Sequence, residues 1–139
     1  MTRCRSGQAG QVLPMVAAVM ALLFVPLCVF VIDTGLVEAE YAQLGEAVQA
    51  AAEDGASMID QDAFIRSGGR RPVLDPAAAS ATSERSLRAS GLTGLESVTV
   101  TVERDTVTVS ATLRVRLLVL GTATVRQTRS ATFVYGGLG

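Results

Sequence analysis

The chain has 139 residues, of which 49% are hydrophobic and 4% aromatic, and its formal net charge at pH 7 is −1. Because there is no net positive charge, there is no general field that would attract nucleic acid. The chain contains no histidine and only two cysteines, so it lacks the usual ligands of zinc and haem sites. We therefore expect no zinc or haem site, and since no residue pattern in the chain indicates another metal, a cofactor or a small-molecule substrate, we expect none of these either.

The apolar residues are concentrated near the N-terminus. Residues 12–32 are apolar without interruption, and no charged residue occurs between Arg5 and Asp33. A helix of this length spans about 31 Å, at about 1.5 Å per residue, which matches the hydrocarbon thickness of a bilayer. A soluble core helix would carry a polar face. We therefore predict a transmembrane helix over residues 12–32, preceded by a short N-terminal segment over residues 1–11.

The charges that flank the apolar run predict its orientation. Two arginines precede the run and several acidic residues follow it: Arg3 and Arg5 before, Asp33, Glu38 and Glu40 after. Positive flanks stay in the cytoplasm, so we predict a cytoplasmic N-terminus and an extracytoplasmic remainder. A cleaved signal peptide is the alternative. Since signal peptides have apolar regions of only about 7–15 residues, we expect this longer helix to be retained.

The helix is predicted to continue outside the membrane through residues 33–59. Apolar and small residues recur there at alternating spacings of four and three, which is a seam of heptad type. Its members are Val37, Tyr41, Leu44, Val48, Ala51, Gly55 and Met58. The seam packs either on this protein's own sheet or on other subunits, and both alternatives remain open. The candidate assembly contacts are Pro26, Asp33, Tyr41, Leu44 and Val48.

Two of these candidates lie in or next to the apolar run. Pro26 removes a helical hydrogen bond, so it is either a bend in the anchor or a notch for a partner helix. Asp33 either marks the water interface or meets a partner's charge during assembly. The sequence Asp33-Thr34-Gly35 also matches the Asp-Thr-Gly of aspartic proteases. Because it follows a membrane span and leads into a helix, we expect no enzyme, and without histidine a Ser-His-Asp triad is impossible.

The rest of the chain is predicted to form a loop, a short helix and strands. Residues 60–75 lose the periodicity and include Gly68-Gly69-Arg70-Arg71-Pro72, which is typical of an exposed loop. Asp75 and Pro76 then supply an N-cap and a proline at the first helical position. This second helix is rich in alanine and is predicted to end near Gly91.

Alternating valines predict two strands joined by a tight turn. A two-residue turn at Arg104-Asp105 pairs Val102 with Val107 and Val100 with Val109. Both facing sets are then apolar, which supports this register.

A second turn is predicted at Leu120-Gly121-Thr122, where it sets Leu117 opposite Val125. The same register puts Gln127 and Arg129 on the apolar face, so we expect a bulge there. The product is a three-stranded antiparallel sheet whose apolar face is covered by the extracytoplasmic helical segments. The predicted fold is α+β, with a long N-terminal helix and a small head over residues 76–139.

Three motifs occur in a familiar order: Gly10-Gln11-Val12-Leu13-Pro14 opens the apolar run, Val31-Ile32-Asp33-Thr34-Gly35 closes it, and Ala50-Ala51-Ala52-Glu53-Asp54-Gly55-Ala56 follows. This order resembles the TadE/TadG-like proteins of the bacterial tight-adherence (Tad, or Flp pilus) system. The alanine-rich second helix and the valine-alternating strands resemble the small outer domain of the TadE-like group. Where pseudopilins carry a glutamate, five residues after their glycine, this chain has Met15 or Val12, so pilin-type processing is not expected.

The resemblance implies a single-pass protein of the bacterial inner membrane that takes part in pilus assembly and cell adhesion. Its expected partners are the lipid bilayer and other pilus or secretion subunits, which it would contact through protein–protein interfaces. The alternative is a membrane-anchored extracytoplasmic binding or sensing module that is unrelated to pili.

Overall fold

The computed structural model describes residues 9–70, 72–119 and 121–134. Within these ranges the chain forms three helices, α1 (Ala9–Ala56), α2 (Gln61–Arg66) and α3 (Pro76–Ala89), followed by three strands, β1 (Leu95–Glu103), β2 (Thr106–Arg116) and β3 (Thr122–Thr132). The strands form one antiparallel sheet in the order β1-β2-β3. The predicted α+β class, with a long N-terminal helix and a three-stranded antiparallel sheet, is confirmed.

The longest element, α1, is one continuous helix of 48 residues that passes through both Pro14 and Pro26. At about 1.5 Å per residue it is about 72 Å long. Its N-terminal half is apolar and exposed, and in the described part of the chain it is the one helix whose length and composition would allow it to cross a membrane. Its C-terminal half enters the core of the head, so the predicted extension beyond residue 32 is confirmed.

The seam on the C-terminal half of α1 packs inside the molecule. Leu44, Val48 and Ala51 are fully buried, in one core with Val107 and Val109 of β2. Burying a leucine or valine side chain stabilises a fold by about 1.5–3 kcal/mol. Of the two alternatives left open by the sequence, packing on the protein's own sheet is the one that the structure adopts.

The first hairpin has the predicted register. Val100 pairs with Val109 and Val102 pairs with Val107 across β1 and β2. The turn between the strands places Arg104 at a φ of 52°, the left-handed conformation that tight hairpin turns require. The apolar residues of this hairpin face the helices, whereas its threonines lie on the opposite face of the sheet.

The register of the second hairpin was predicted wrongly. Val125 pairs with Leu113 rather than with Leu117, and the last pair before the turn is Arg116 with Thr122. The connection therefore consists of residues 117–121, and Leu117 N donates to the Gly121 carbonyl oxygen at 2.8 Å. A displacement by an even number of residues keeps every side chain on its face. Alternation alone therefore did not distinguish the two registers.

The bulge predicted near Gln127 and Arg129 is absent from the continuous pairing of β2 with β3. Gln127 is buried against α1, where its Nε2 donates to the Tyr41 carbonyl oxygen at 3.5 Å. Gly45 of α1 faces this amide, and a Cβ at Gly45 would lie in ordinary van der Waals contact with it, 3.4 Å from Gln127 Nε2. The polar side chain that was expected to distort the strand is thus accommodated by a hydrogen bond to the helix backbone.

The segment predicted as a loop contains the short helix α2. The Asp60 carboxylate caps this helix by accepting the N–H of Ala63 at 2.8 Å. An isolated antiparallel bridge between Ile59 and Leu74 closes the segment at its base. The loop prediction missed α2 because a helix of six residues is too short to produce a periodic apolar pattern.

Helix α3 begins as predicted and packs closely on α1. The Asp75 side chain accepts the N–H groups of Ala77 and Ala78, as expected of an N-cap followed by proline. At the crossing, Gly55 of α1 faces Ser83 of α3, and a Cβ at Gly55 would overlap the Ser83 hydroxyl. Such a Cβ would also lie 3.0 Å from the Ala79 carbonyl oxygen. The absence of a side chain at residue 55 therefore sets the distance between the two helices.

We predict that Gly55→Ala destabilises the head. Overpacking costs about 1–3 kcal/mol, which exceeds the gain of about 1 kcal/mol from replacing a helical glycine by alanine. The thermal unfolding midpoint of the detergent-solubilised chain, followed by circular dichroism, should fall by several degrees. Gly35→Ala is the matched control on the same helix, because a Cβ there meets no atom within 4 Å, and its midpoint should not fall. A Gly55→Ala protein that unfolds at or above the wild-type temperature would contradict the close packing.

Candidate functional site

The described structure contains one long-range polar connection between the apolar half of α1 and the sheet. Asp33 lies within α1, is only 1% exposed, and follows directly on the apolar run. Its Oδ1 accepts the N–H of Leu118 at 2.9 Å, and its Oδ2 accepts the N–H of Val119 at 3.3 Å. The carboxylate therefore joins the helix to the β2–β3 loop, 85 residues further along the chain.

The chemistry of this connection explains how a carboxylate can be buried beside an apolar helix. An isolated buried charge is costly, but each oxygen of Asp33 accepts one backbone N–H group. Successive N–H groups form a concave anion-binding arrangement, and a hydrogen bond to a charged group contributes about 1.5–3 kcal/mol. Asp33 thus holds the β2–β3 loop against α1 through two hydrogen bonds.

An apolar depression lies beside Asp33. It has a volume of about 310 Å³ and is lined by Val25, Pro26, Val29 and Phe30 of α1, by Asp33, and by Val119 of the loop. The structure thus brings two of the predicted contacts, Pro26 and Asp33, to one place. Pro26 is exposed, as a surface that packs against lipid or another helix would require.

The other three predicted contacts lie elsewhere. Leu44 and Val48 are fully buried in the core, so their side chains are enclosed by the protein's own sheet and are not at the surface. Tyr41 is 49% exposed. It lines an open groove of about 570 Å³ between α1 and β3, together with Glu46, Gln49 and Arg129 among others. Of the seam residues proposed as contacts, Tyr41 is the one that the fold leaves accessible.

Sequence reasoning missed the residues of the β2–β3 loop. Leu118 and Val119 were assigned to a strand or its end, whereas the structure places them in the loop with about two thirds of each side chain exposed. A signal was present, because residues 117–120 are all apolar at a chain reversal. Reversals are usually rich in glycine, proline, asparagine, aspartate and serine, whereas in this connection Gly121 is the one residue of those types. An apolar loop tip is unusual and points to a contact.

The aspartic-protease interpretation of Asp33-Thr34-Gly35 lacks its geometry. These residues lie inside α1 rather than on a loop after a strand, and Thr34 Oγ1 donates to the Phe30 carbonyl oxygen at 2.9 Å, as in an ordinary helix. Within the described ranges there is also no group of three or more His, Cys, Asp or Glu side chains that could hold a metal ion. What the geometry of Asp33 does provide is a connection between α1 and the β2–β3 loop.

We predict that Asp33→Ala releases the β2–β3 loop while leaving the core folded. The N–H groups of Leu118 and Val119 would lose their acceptors, at a cost of about 1.5–3 kcal/mol per bond, so their amide hydrogens should exchange at least about tenfold faster. Hydrogen exchange measured by NMR in micelles tests this. The control is Glu38→Ala, an exposed carboxylate on the same helix. Unchanged exchange of the Leu118 and Val119 amides in Asp33→Ala would contradict the conclusion that Asp33 holds the β2–β3 loop.

Comparison with known proteins gave no match among family models, curated proteins or solved structures. The functional interpretation therefore depends on the chain's own residues and geometry.

Proposed function

We propose that this protein is a membrane-anchored structural or assembly component that acts through protein–protein contacts in a Tad-type (Flp) pilus or a related secretion apparatus. The observation that carries the proposal is the continuity of α1. The same helix supplies an exposed apolar run long enough to span a bilayer and the fully buried Leu44 and Val48 of the head. A head built on its own anchor helix has a restricted position and tilt above the membrane, which suits a component that orients other subunits.

The surface of the head offers places where such subunits could bind. Strand β3 has eleven residues and pairs with β2 along one side, and within the described ranges no strand covers its other side. Edge strands are ready acceptors for an added strand. The groove that contains Tyr41 runs beside this edge and carries Glu46, Glu53 and Arg129. It therefore contains a tyrosine and an arginine, which are residue types enriched at protein interfaces, together with two acidic side chains.

The assignment to a Tad-type apparatus is supported by the order of the sequence motifs. A Gly-Gln start, an apolar run closed by Asp33-Thr34-Gly35 and an alanine-rich helix follow one another as in TadE/TadG-like proteins. The alanine-rich α3 and the three-stranded sheet agree with the small outer domain that the resemblance implies. In this proposal the protein holds and docks its partners, and its residues perform no chemical step.

A pull-down from membranes tests the proposed partners. A tagged chain, cross-linked in the bacterium that encodes it, should co-purify other pilus or secretion subunits, and Tyr41→Ala should weaken this recovery. Truncating a tyrosine anchor costs about 2 kcal/mol, or about 30-fold in affinity. Ile65→Ala, an exposed apolar residue on α2, is the matched control and should not change recovery. A chain that stays in the membrane without any such subunit would contradict the pilus assignment and favour an independent binding or sensing module.

Thiol labelling tests the proposed orientation. In a Cys28→Ser chain, Thr101→Cys places a thiol on the exposed face of the sheet, and Cys4 is the other thiol. In spheroplasts a membrane-impermeant maleimide should label residue 101, whereas Cys4 should react only after lysis, because the positive N-terminal flank stays in the cytoplasm. Labelling of Cys4 in intact spheroplasts, with residue 101 protected, would reverse the proposed orientation.

A further inference from the structure

The tip of the β2–β3 loop is apolar and exposed, although it is held in a defined conformation. Leu118 and Val119 are 69% and 68% exposed, while their backbone N–H groups are bound by Asp33. Leu117 N is bound by the Gly121 carbonyl oxygen. Contiguous exposed apolar surface on a protein marks a contact with another protein or with a membrane. Another protein or a membrane should therefore cover the side chains of Leu118 and Val119.

The position of the loop along α1 identifies the occupant. Asp33 directly follows the apolar run, and Val119 shares a depression with Val29, Phe30 and Val25. Val25 precedes Asp33 by two helical turns, or about 12 Å along the axis. The tip therefore extends from the end of the apolar run back alongside its last turns. Any bilayer that surrounds those turns also reaches Val119.

The backbone of the loop is suited to that environment. In lipid every backbone polar group needs a partner within the protein, because no water is present to supply one. The three consecutive N–H groups of residues 117–119 all donate to protein oxygens, two of them to the Asp33 carboxylate. In a loop exposed to water, solvent could accept these N–H groups, and a buried carboxylate would not be needed to bind them. Asp33 and the Gly121 carbonyl oxygen thus bind the three N–H groups of residues 117–119, while the apolar side chains of Leu118 and Val119 stay on the outside.

The residues that flank the tip are complementary to lipid headgroups. No acidic residue occurs between Arg114 and Arg126. Arg116, the last residue of β2, is exposed and makes no ion pair within the described ranges, whereas Arg114 pairs with Glu96. An arginine near an anionic membrane surface contributes about 1 kcal/mol. Apolar side chains at the tip with an arginine behind them form the pattern of an interfacial membrane contact.

We propose that the β2–β3 loop tip, residues 117–119, is a second membrane contact that enters the bilayer interface beside α1. This inference rests on the proposed membrane anchoring by α1. Together the helix and the tip contact the bilayer side by side, and Asp33 connects them at the level of the headgroups. A single helix leaves its head free to rotate about the helix axis, whereas the second contact sets which face of the head, and so which side of β3, is presented to partners.

Tryptophan quenching tests the proposal in the full-length chain, which contains no native tryptophan. The probes are Val119→Trp at the tip, Phe30→Trp in the apolar run and Asp105→Trp in the turn at the opposite end of the sheet. Each protein is reconstituted into vesicles of phosphatidylcholine and phosphatidylglycerol with brominated acyl chains. Quenching of Val119→Trp should be comparable to that of Phe30→Trp and several-fold stronger than that of Asp105→Trp.

The outcomes separate the two proposals. If Phe30→Trp itself is not quenched, the membrane anchor is wrong and the loop contact fails with it. If Phe30→Trp is quenched but Val119→Trp behaves like Asp105→Trp, the anchor stands and the loop contact is overturned. The second result is also the one expected if the tip binds a partner protein that is absent from pure lipid vesicles.

A second measurement removes the preference of tryptophan itself for membrane interfaces. In a chain that carries Cys4→Ser and Cys28→Ser, the thiol of Leu118→Cys is compared with that of Asp105→Cys in the same vesicles. Because a thiol in an apolar environment is poorly ionised and unreactive, we expect impermeant maleimide to modify residue 118 at least about tenfold more slowly than residue 105. Equal rates at the two positions would overturn the loop contact.

Discussion

The packing of the α1 seam against the sheet is the contact on which the other features depend. Leu44 and Val48 are buried among the valines of β2, and Gly55 brings the helix close to Ser83 of α3. Because α1 is continuous, this packing also sets the direction in which the apolar run leaves the head. The apolar run and the seam are thus parts of one continuous helix, and a change in the seam would alter the placement of both.

The Asp33 carboxylate extends this coupling to the opposite end of the sheet. Its two hydrogen bonds hold the β2–β3 loop against α1 just beyond the apolar run. An aspartate there has a simple reading from sequence, as a charge that keeps the run from sliding into the bilayer. In the structure this carboxylate also accepts hydrogen bonds from the β2–β3 loop, so that one side chain both ends the apolar run and places an apolar loop beside it. Because the loop covers Asp33, the carboxylate is buried although it borders an exposed stretch of helix.

Local features were the ones that sequence predicted well. The uninterrupted apolar run, the Asp75-Pro76 start of α3 and the tight turn at Arg104-Asp105 each depend on residues close together in the chain. For such features the energetic reasons are contained in the segment: burial of one face, a cap for free N–H groups, and a short turn that leaves one register. The fold class followed from them. The short α2 was missed because six residues carry too little pattern.

Sequence by itself therefore determined that the chain has one long apolar helix, a capped second helix and valine-rich strands with one apolar face. Only the tertiary structure decided the register of β3, the burial of the seam residues Leu44 and Val48, and the partner of Asp33. The physical reason is that these depend on groups far apart in the chain. Two registers that keep the same faces are equivalent by alternation. A seam of small residues fits an internal sheet as well as a second subunit, and a carboxylate finds its N–H donors only after the hairpin has docked on the helix.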